Sequence, residues 1–167
     1  MSNDAISLKH ISPAAFPRAL ELAERYRLLN EPEQAASICH DVLATDSKNA
    51  QALRMLLLAI TEQFGKRHGA HFVDAARVIE LMETDYERLY YTGLAQERYG
   101  RAKLEEKGHL SLVGDWLRQA MASYEAAEKV RPPDNEDSLL RWNACARLMD
   151  KVPGLRHEAE HVHHMGD

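Results

Sequence analysis

Apolar residues in this 167-residue chain recur every three to four positions, in stretches separated by short polar turns. The first stretch, 13–29, carries Phe16, Leu20, Leu22 and Ala23. Ser12 followed by Pro13 is a start signal, a capping side chain and then a proline where the first turn needs no N–H. Asn30-Glu31-Pro32 breaks that stretch. The second, 32–44, places Ala35, Ile38, Cys39, Val42 and Leu43 on one face and ends in the turn residues Asp46-Ser47-Lys48-Asn49. The third, 50–64, stops at Gly65. The fourth, 72–83, points Val73, Ala76, Ile79 and Met82 inward. Asp85 can cap a fifth, 86–99, with continuation to 107. The sixth, 110–130, carries Trp116, Leu117, Ala120, Tyr124 and Ala127 and stops at Pro132-Pro133. A seventh, 136–150, offers Leu139, Leu140, Trp142 and Leu148 for burial and ends at Pro153-Gly154.

The pattern predicts an all-α protein of about seven helices, the last of them capping the apolar face left by the sixth. Residues 1–12 read as a leader, 13–152 as the helical domain and 153–167 as a histidine-rich polar tail. Ala, Leu, Glu and Arg are abundant, and Gly and Pro number only 8 and 6, which favours helix over strand and turn. The net charge of −5, with acidic and basic residues interleaved, argues against a nucleic-acid partner. Residues 53–60 form the most apolar run, too short to span a bilayer, and residues 1–11 lack the basic start and apolar run of a signal peptide. A cytoplasmic protein without membrane association is expected. Cys39 and Cys145 lie far apart without metal-type spacing and read as reduced, partly buried thiols.

A repeat lies within this pattern. Ala23, Tyr26, Ala35 and Val42 follow one another at spacings of 3, 9 and 7, and Leu53 lies 34 residues after Ala19. The last long stretch repeats the theme with Ala120, Tyr124, Ala127 and Pro132. These residues resemble the tetratricopeptide repeat, a helix-turn-helix unit of that length. The resemblance covers roughly 16–150, and small side chains at helix crossings suit its close packing at ~8–10 Å between axes. The pattern is irregular: about six extra residues fall around 65–71 and about fifteen around 100–113. The stretch RPPDNEDSLLRWN, 131–143, also resembles a group of bacterial repeat proteins to which no activity is assigned.

The resemblance implies antiparallel helix pairs stacked into an α-α superhelix, with the first helix of each pair lining a concave groove. Carried across residue by residue, the groove would present Leu20, Glu24 and Arg27, then Gln51, Arg54, Leu58 and Thr61, then Tyr90, Leu94, Glu97 and Arg98. Arg27, Arg54, Leu58, Tyr90, Leu94 and Arg98 are the candidates for contact with a partner helix or extended segment. Some members clamp a C-terminal carboxylate with lysines and asparagines at set groove positions. Leu20, Glu24 and Leu58 stand there in this chain, which argues against that mode. Either member of the Tyr90-Tyr91 pair could serve the core instead.

Signals for catalysis are few. There is no Gly-rich phosphate loop after a strand, no nucleophile elbow, and no catalytic-thiol signature at either cysteine. The tail HEAEHVHHMGD sets His157, His161 and His164 on one face if it is helical, a spacing able to share a metal ion. His157-Glu158 followed by His161 also spells His-Glu-x-x-His, but at a chain end with no cleft around it. A solvated tail explains these histidines more simply, so no cofactor or metal is expected. The reading is a non-enzymatic protein-interaction adaptor or assembly factor. Its rivals are a metal-binding protein using the tail, and a self-associating structural protein that would expose Trp116 or Trp142.

Overall fold

A computed structural model describes residues 6–157. It is all-helical: α1 (Phe16–Leu28), α2 (Pro32–Thr45), α3 (Ala50–Thr61), α4 (Phe72–Glu80), α5 (Asp85–Glu105), α6 (Leu110–Lys129) and α7 (Asp137–Lys151), with 3-10 turns at Pro13–Ala15 and Pro153–Arg156 and no strand among the described residues. The boundaries follow local chemistry. Asn49 caps α3 through its side-chain oxygen, which accepts the Ala52 N–H at 3.0 Å. Thr84, not Asp85, caps α5 by accepting the Glu87 N–H at 3.1 Å. Asn30, at φ 60°, ends α1 in a Schellman arrangement: the Glu31 N–H reaches the Tyr26 carbonyl at 2.8 Å and the Asn30 N–H that of Arg27 at 2.9 Å. Lys107, at φ 59°, ends α5 in the same way.

Each helix packs on its sequence neighbour, and the odd-numbered helices also touch one another in order, α1 on α3, α3 on α5 and α5 on α7. Two cores result. The first joins α1 to α4 and the near side of α5 and is dominated by α3, which buries Leu53, Leu56, Leu57 and Ile60 among other apolar residues. The second joins α6 and α7 and buries Val113, Leu117, Ala120, Tyr124 and Cys145. The face expected of the sixth stretch is therefore the buried one, with Trp116 half-buried at its edge.

Four expectations need correction. In α4 the buried positions are Ala75, Val78 and Ile79, with Met82 buried just beyond its end, while Val73 is 51% exposed, so the helix is turned relative to the expected face. Leu22 and Leu140 point to solvent. The extra residues around 100–113 do not form a loop. They lengthen α5 and α6, the pair with the most extensive contact, and leave only 106–109 as the connection. Finally, 153–156 is not the start of a polar tail. Leu155 is fully buried against α6, because Gly114 has no side chain: a Cβ there would stand 2.1 Å from the Leu155 carbonyl oxygen. Arg118 Nη1 donates to that oxygen at 3.1 Å and fixes the turn. No described helix is long and apolar enough to cross a membrane.

Candidate groove and tyrosine pocket

The edge where α3, α5 and the α6–α7 connection meet holds a cavity of about 480 Å³. Its aromatic wall comes from the first turns of α5. Tyr86 and Tyr90, one turn apart, stack with centroids 5.7 Å apart and planes at 15°, and Tyr91 meets Tyr90 edge-on at 5.0 Å. The opposite wall is Pro132, Asn135 and Asp137, and Ala50, Arg54, Glu83, Thr84 and Glu87 complete the lining. The wall is fixed by hydrogen bonds: the Tyr86 hydroxyl donates to Asn135 Oδ1 at 3.0 Å, which also accepts the Asp137 N–H at 3.0 Å, while Arg131 Nη1 donates to the Asn135 carbonyl at 2.9 Å. Burial pushes the Tyr86 and Tyr91 hydroxyls up to about 12, and the Asp137 carboxylate adds to the rise at Tyr86. Tyr90 is raised for the same two reasons.

Tyr90 and Tyr91 divide between the two cores. Tyr91 packs on the first cluster and Tyr90 on the second, where its ring lies 5.9 Å from that of Tyr124. Both stay partly exposed. Arg54 is already engaged: its Nη1 donates to Glu87 Oε1 at 2.7 Å, with its own side chain 42% exposed.

The other expected residues gather elsewhere. Arg27 Nε sits 3.1 Å from both oxygens of Glu62, and Arg98 Nη1 lies 3.8 Å from the same carboxylate. Arg98 also donates to Thr61 Oγ1 at 2.7 Å and to the Leu58 carbonyl at 3.3 Å, and burial lowers its pKa. Arg27 and Arg98 thus converge on Glu62 and tie α1 and α5 to the end of α3, and Leu58 takes part only through its backbone carbonyl. Leu94 is 3% exposed and Thr61 is buried too, so neither presents a side chain to a partner. The expected set is split: Arg54 and Tyr90 share the tyrosine pocket, Arg27 and Arg98 form a bridge, and Leu94 is core.

Glu97, expected on the groove surface, is fully buried beneath it. Tyr124 donates its hydroxyl to Glu97 Oε2 at 2.7 Å, Arg101 Nε donates to Oε1 at 2.8 Å, and Arg141 Nε lies 3.1 Å from Oε2 as an ion pair without hydrogen-bond alignment. The network joins α5, α6 and α7 and supports the floor under Tyr90. A sequence signal for it exists. Gly93, Glu97 and Gly100 share one helix face, and glycines on both sides of a carboxylate mark a face that another helix approaches closely. A Cβ on Gly93 would stand 2.7 Å from the Tyr124 ring.

Cys39 and Cys145 are both fully buried, and burial lifts each thiol to about 12, which suits inert core residues. Trp142 donates to Glu125 at 2.9 Å, and Trp116 packs against Phe72 and Tyr99, so neither indole stands free. Of the tail histidines, His157 is exposed, while His161 and His164 lie outside the described residues. Among the described residues no group of three or more His, Cys, Asp or Glu side chains is placed to hold a metal ion. Sequence reasoning missed Tyr86, Glu83, Asn135 and Asp137. Tyr86 was findable, one turn before Tyr90, but the approach of 132–137 to α5 is a tertiary fact. No protein-family model matches the chain, and no curated protein or solved structure matches it either.

Proposed function

We propose that this chain is a non-enzymatic protein-interaction module, an adaptor or assembly factor with tetratricopeptide-like helix pairs, that holds a segment of another protein along α3, α5 and α7. The observation carrying this reading is the tyrosine pocket. It is concave and open to solvent, its aromatic side is fixed before any partner arrives, and its volume falls within the range of binding sites. The in-order contacts of the odd-numbered helices support the repeat arrangement. Tyrosine supplies contact area at little conformational cost, which suits a recognition surface.

The test is selection from an unbiased library of displayed 12-residue peptides on the full chain, with the winners mapped by hydrogen–deuterium exchange. Protection concentrated at 50–54, 83–91 and 132–137 is expected. Selection that yields no binder, or protection confined to 65–71, would overturn the reading.

A further inference from the structure

The pocket also constrains the chemistry of its occupant, a step that rests on the interaction reading above. Its lining carries one cation, Arg54, against three carboxylates, Glu83, Glu87 and Asp137. Arg54 is matched by Glu87 at 2.7 Å, and Glu83 and Asp137 enter no ion pair among the described residues. The nearby arginines of the α6–α7 side are engaged too, Arg131 with the Asn135 carbonyl and Arg141 with Glu97. What remains is the partly exposed rings of Tyr86, Tyr90 and Tyr91, of which Tyr86 and Tyr90 cover one face of each other, between two unmatched carboxylates. Aromatic faces attract a cation through the ring quadrupole, and the attraction grows as the site loses water. After burial, the Asp137 carboxylate is the leading charge that raises the Tyr86 and Tyr90 hydroxyls, against lowering by Arg131 at Tyr86 and by Arg141 and Arg98 at Tyr90. At Tyr91 the leading charge is Arg54 and acts the other way.

We infer that the tyrosine pocket receives a basic side chain, arginine or lysine, presented by an extended segment of a partner protein. The guanidinium or ammonium lies against the tyrosine rings, with Glu83 and Asp137 as its counter-charges. The sign is opposite to the one a free Arg54 would select. Of the chain's other cavities, the larger one around Lys66, Arg67, His68 and Lys103 has the opposite charge and offers no comparable aromatic enclosure.

The probe is the peptide Ac-Ala-Leu-Arg-Leu-Ala-NH2, titrated into the isotope-labelled full chain beside its neutral citrulline counterpart and followed by amide chemical shifts. Shifts should centre on Tyr86, Tyr90, Tyr91 and Asn135, with the citrulline peptide roughly three- to tenfold weaker. The double variant Glu83→Gln, Asp137→Asn should bring the arginine peptide down to the citrulline level without changing the thermal melt, since both carboxylates lie at the surface. Equal binding of the two peptides in the pocket would overturn this inference and leave the interaction reading standing. No pocket shifts at millimolar peptide would overturn the inference, and the display experiment then decides the interaction reading separately. Concentration-dependent broadening without peptide, at both the pocket and 66–68, would mean that a second copy's basic turn is the occupant and would overturn a separate partner.

Discussion

Leu57 in α3 and Glu97 in α5 are both at 0% exposure, yet their surroundings are built from opposite chemistry. Leu57 sits in a cluster of leucine, isoleucine, methionine and alanine side chains supplied by several helices. Attraction there is non-directional and scales with apolar area removed from water, so similar shapes can replace one another. Glu97 sits among two guanidinium groups and a phenol, Tyr124 and Arg101 aligned as hydrogen-bond donors and Arg141 paired by charge. A buried carboxylate is tolerated only while those partners remain, and the same low dielectric that strengthens the network penalises any gap in it. The second core is also the smaller one, and much of its α7 wall is only half-buried. The first half of the molecule is held by area and the second by geometry. The tyrosine pocket lies at the seam of the two, with Tyr91 packed on the first core and Tyr90 on the second.

The largest expected effect tests this contrast with two conservative replacements. Glu97→Gln keeps the volume but removes the charge that Arg101 and Arg141 face, and we expect a loss of about 3 kcal/mol, the lower end for breaking a buried pair. Leu57→Met, also volume-conserving, should cost less than about 1.5 kcal/mol. Urea unfolding of the two variants, read at unchanged m-value, gives the comparison directly. Similar losses for both would show that the two cores do not differ in kind.

Next in size is the turn that closes the second core. Leu155→Ala should cost about 2–3 kcal/mol, because the residue is wholly buried and a cavity replaces it. Gly114→Ala should undock the turn by a different route, since the new methyl would meet the Leu155 carbonyl at 2.1 Å. The two losses should therefore not add. A double variant as destabilised as the sum of the singles would show that the turn and α6 are independent.

Much of the fold was legible because the long helices repeat their apolar positions several times. In α6, Leu117, Ala120, Tyr124 and Ala127 fix the buried face four times over. α4 has nine residues and two apolar candidates on either side of its axis, so Val73 and Ala76 competed with Ala75 and Val78, and only packing decided. Leu155 was illegible for another reason. A single leucine after Pro-Gly has no period, and its burial depends on Gly114, about forty residues earlier in the chain. For the site, the odd-helix positions located Arg54 and Tyr90 together but could not show that Glu87 neutralises one or that Asp137 faces the other. A charged residue at an exposed position need not be free, because ion pairing between helices has no sequence period.

Each core also contains one thiol, and alkaline pH probes both. The Cys39 and Cys145 thiols rise from 9.0 to about 12 through burial, and the Tyr86 and Tyr91 hydroxyls from 10.0 to about 12. A raised folded-state pKa means that the protonated form is favoured by folding. The contribution is complete below pH 9 for the thiols and below pH 10 for the phenols, and it is lost as pH rises toward 12. Melting temperature should therefore be insensitive to these groups from pH 7 to 9 and fall between 9 and 12. The Cys39→Ala, Cys145→Ala double variant should fall less steeply over the first part of that window. An equal decline in the variant would mean that the thiols ionise without unfolding, and that neither core is as closed as the structure describes.

The smallest effect on stability belongs to the seam between the two halves, where Arg54 of α3 meets Glu87 of α5. With the Arg54 side chain 42% exposed, solvent screens the pair, and Arg54→Gln should cost less than about 1 kcal/mol. Glutamine is a good helix former, so helicity should hold. The informative change is in binding. Removing the guanidinium leaves Glu87 unmatched, so a pocket with two free carboxylates becomes one with three. The arginine peptide should then bind roughly two- to threefold more tightly, in line with one added surface charge contact. The citrulline peptide should be indifferent. The groove read from sequence alone predicts the reverse, because there Arg54 is itself a candidate contact with the partner and its loss weakens capture. A thermal melt beside the titration separates a binding effect from a folding one. If Arg54→Gln weakens the arginine peptide while the melt is unchanged, the guanidinium itself contributes contact, and the pocket is a surface of mixed charge instead of a cation receptor.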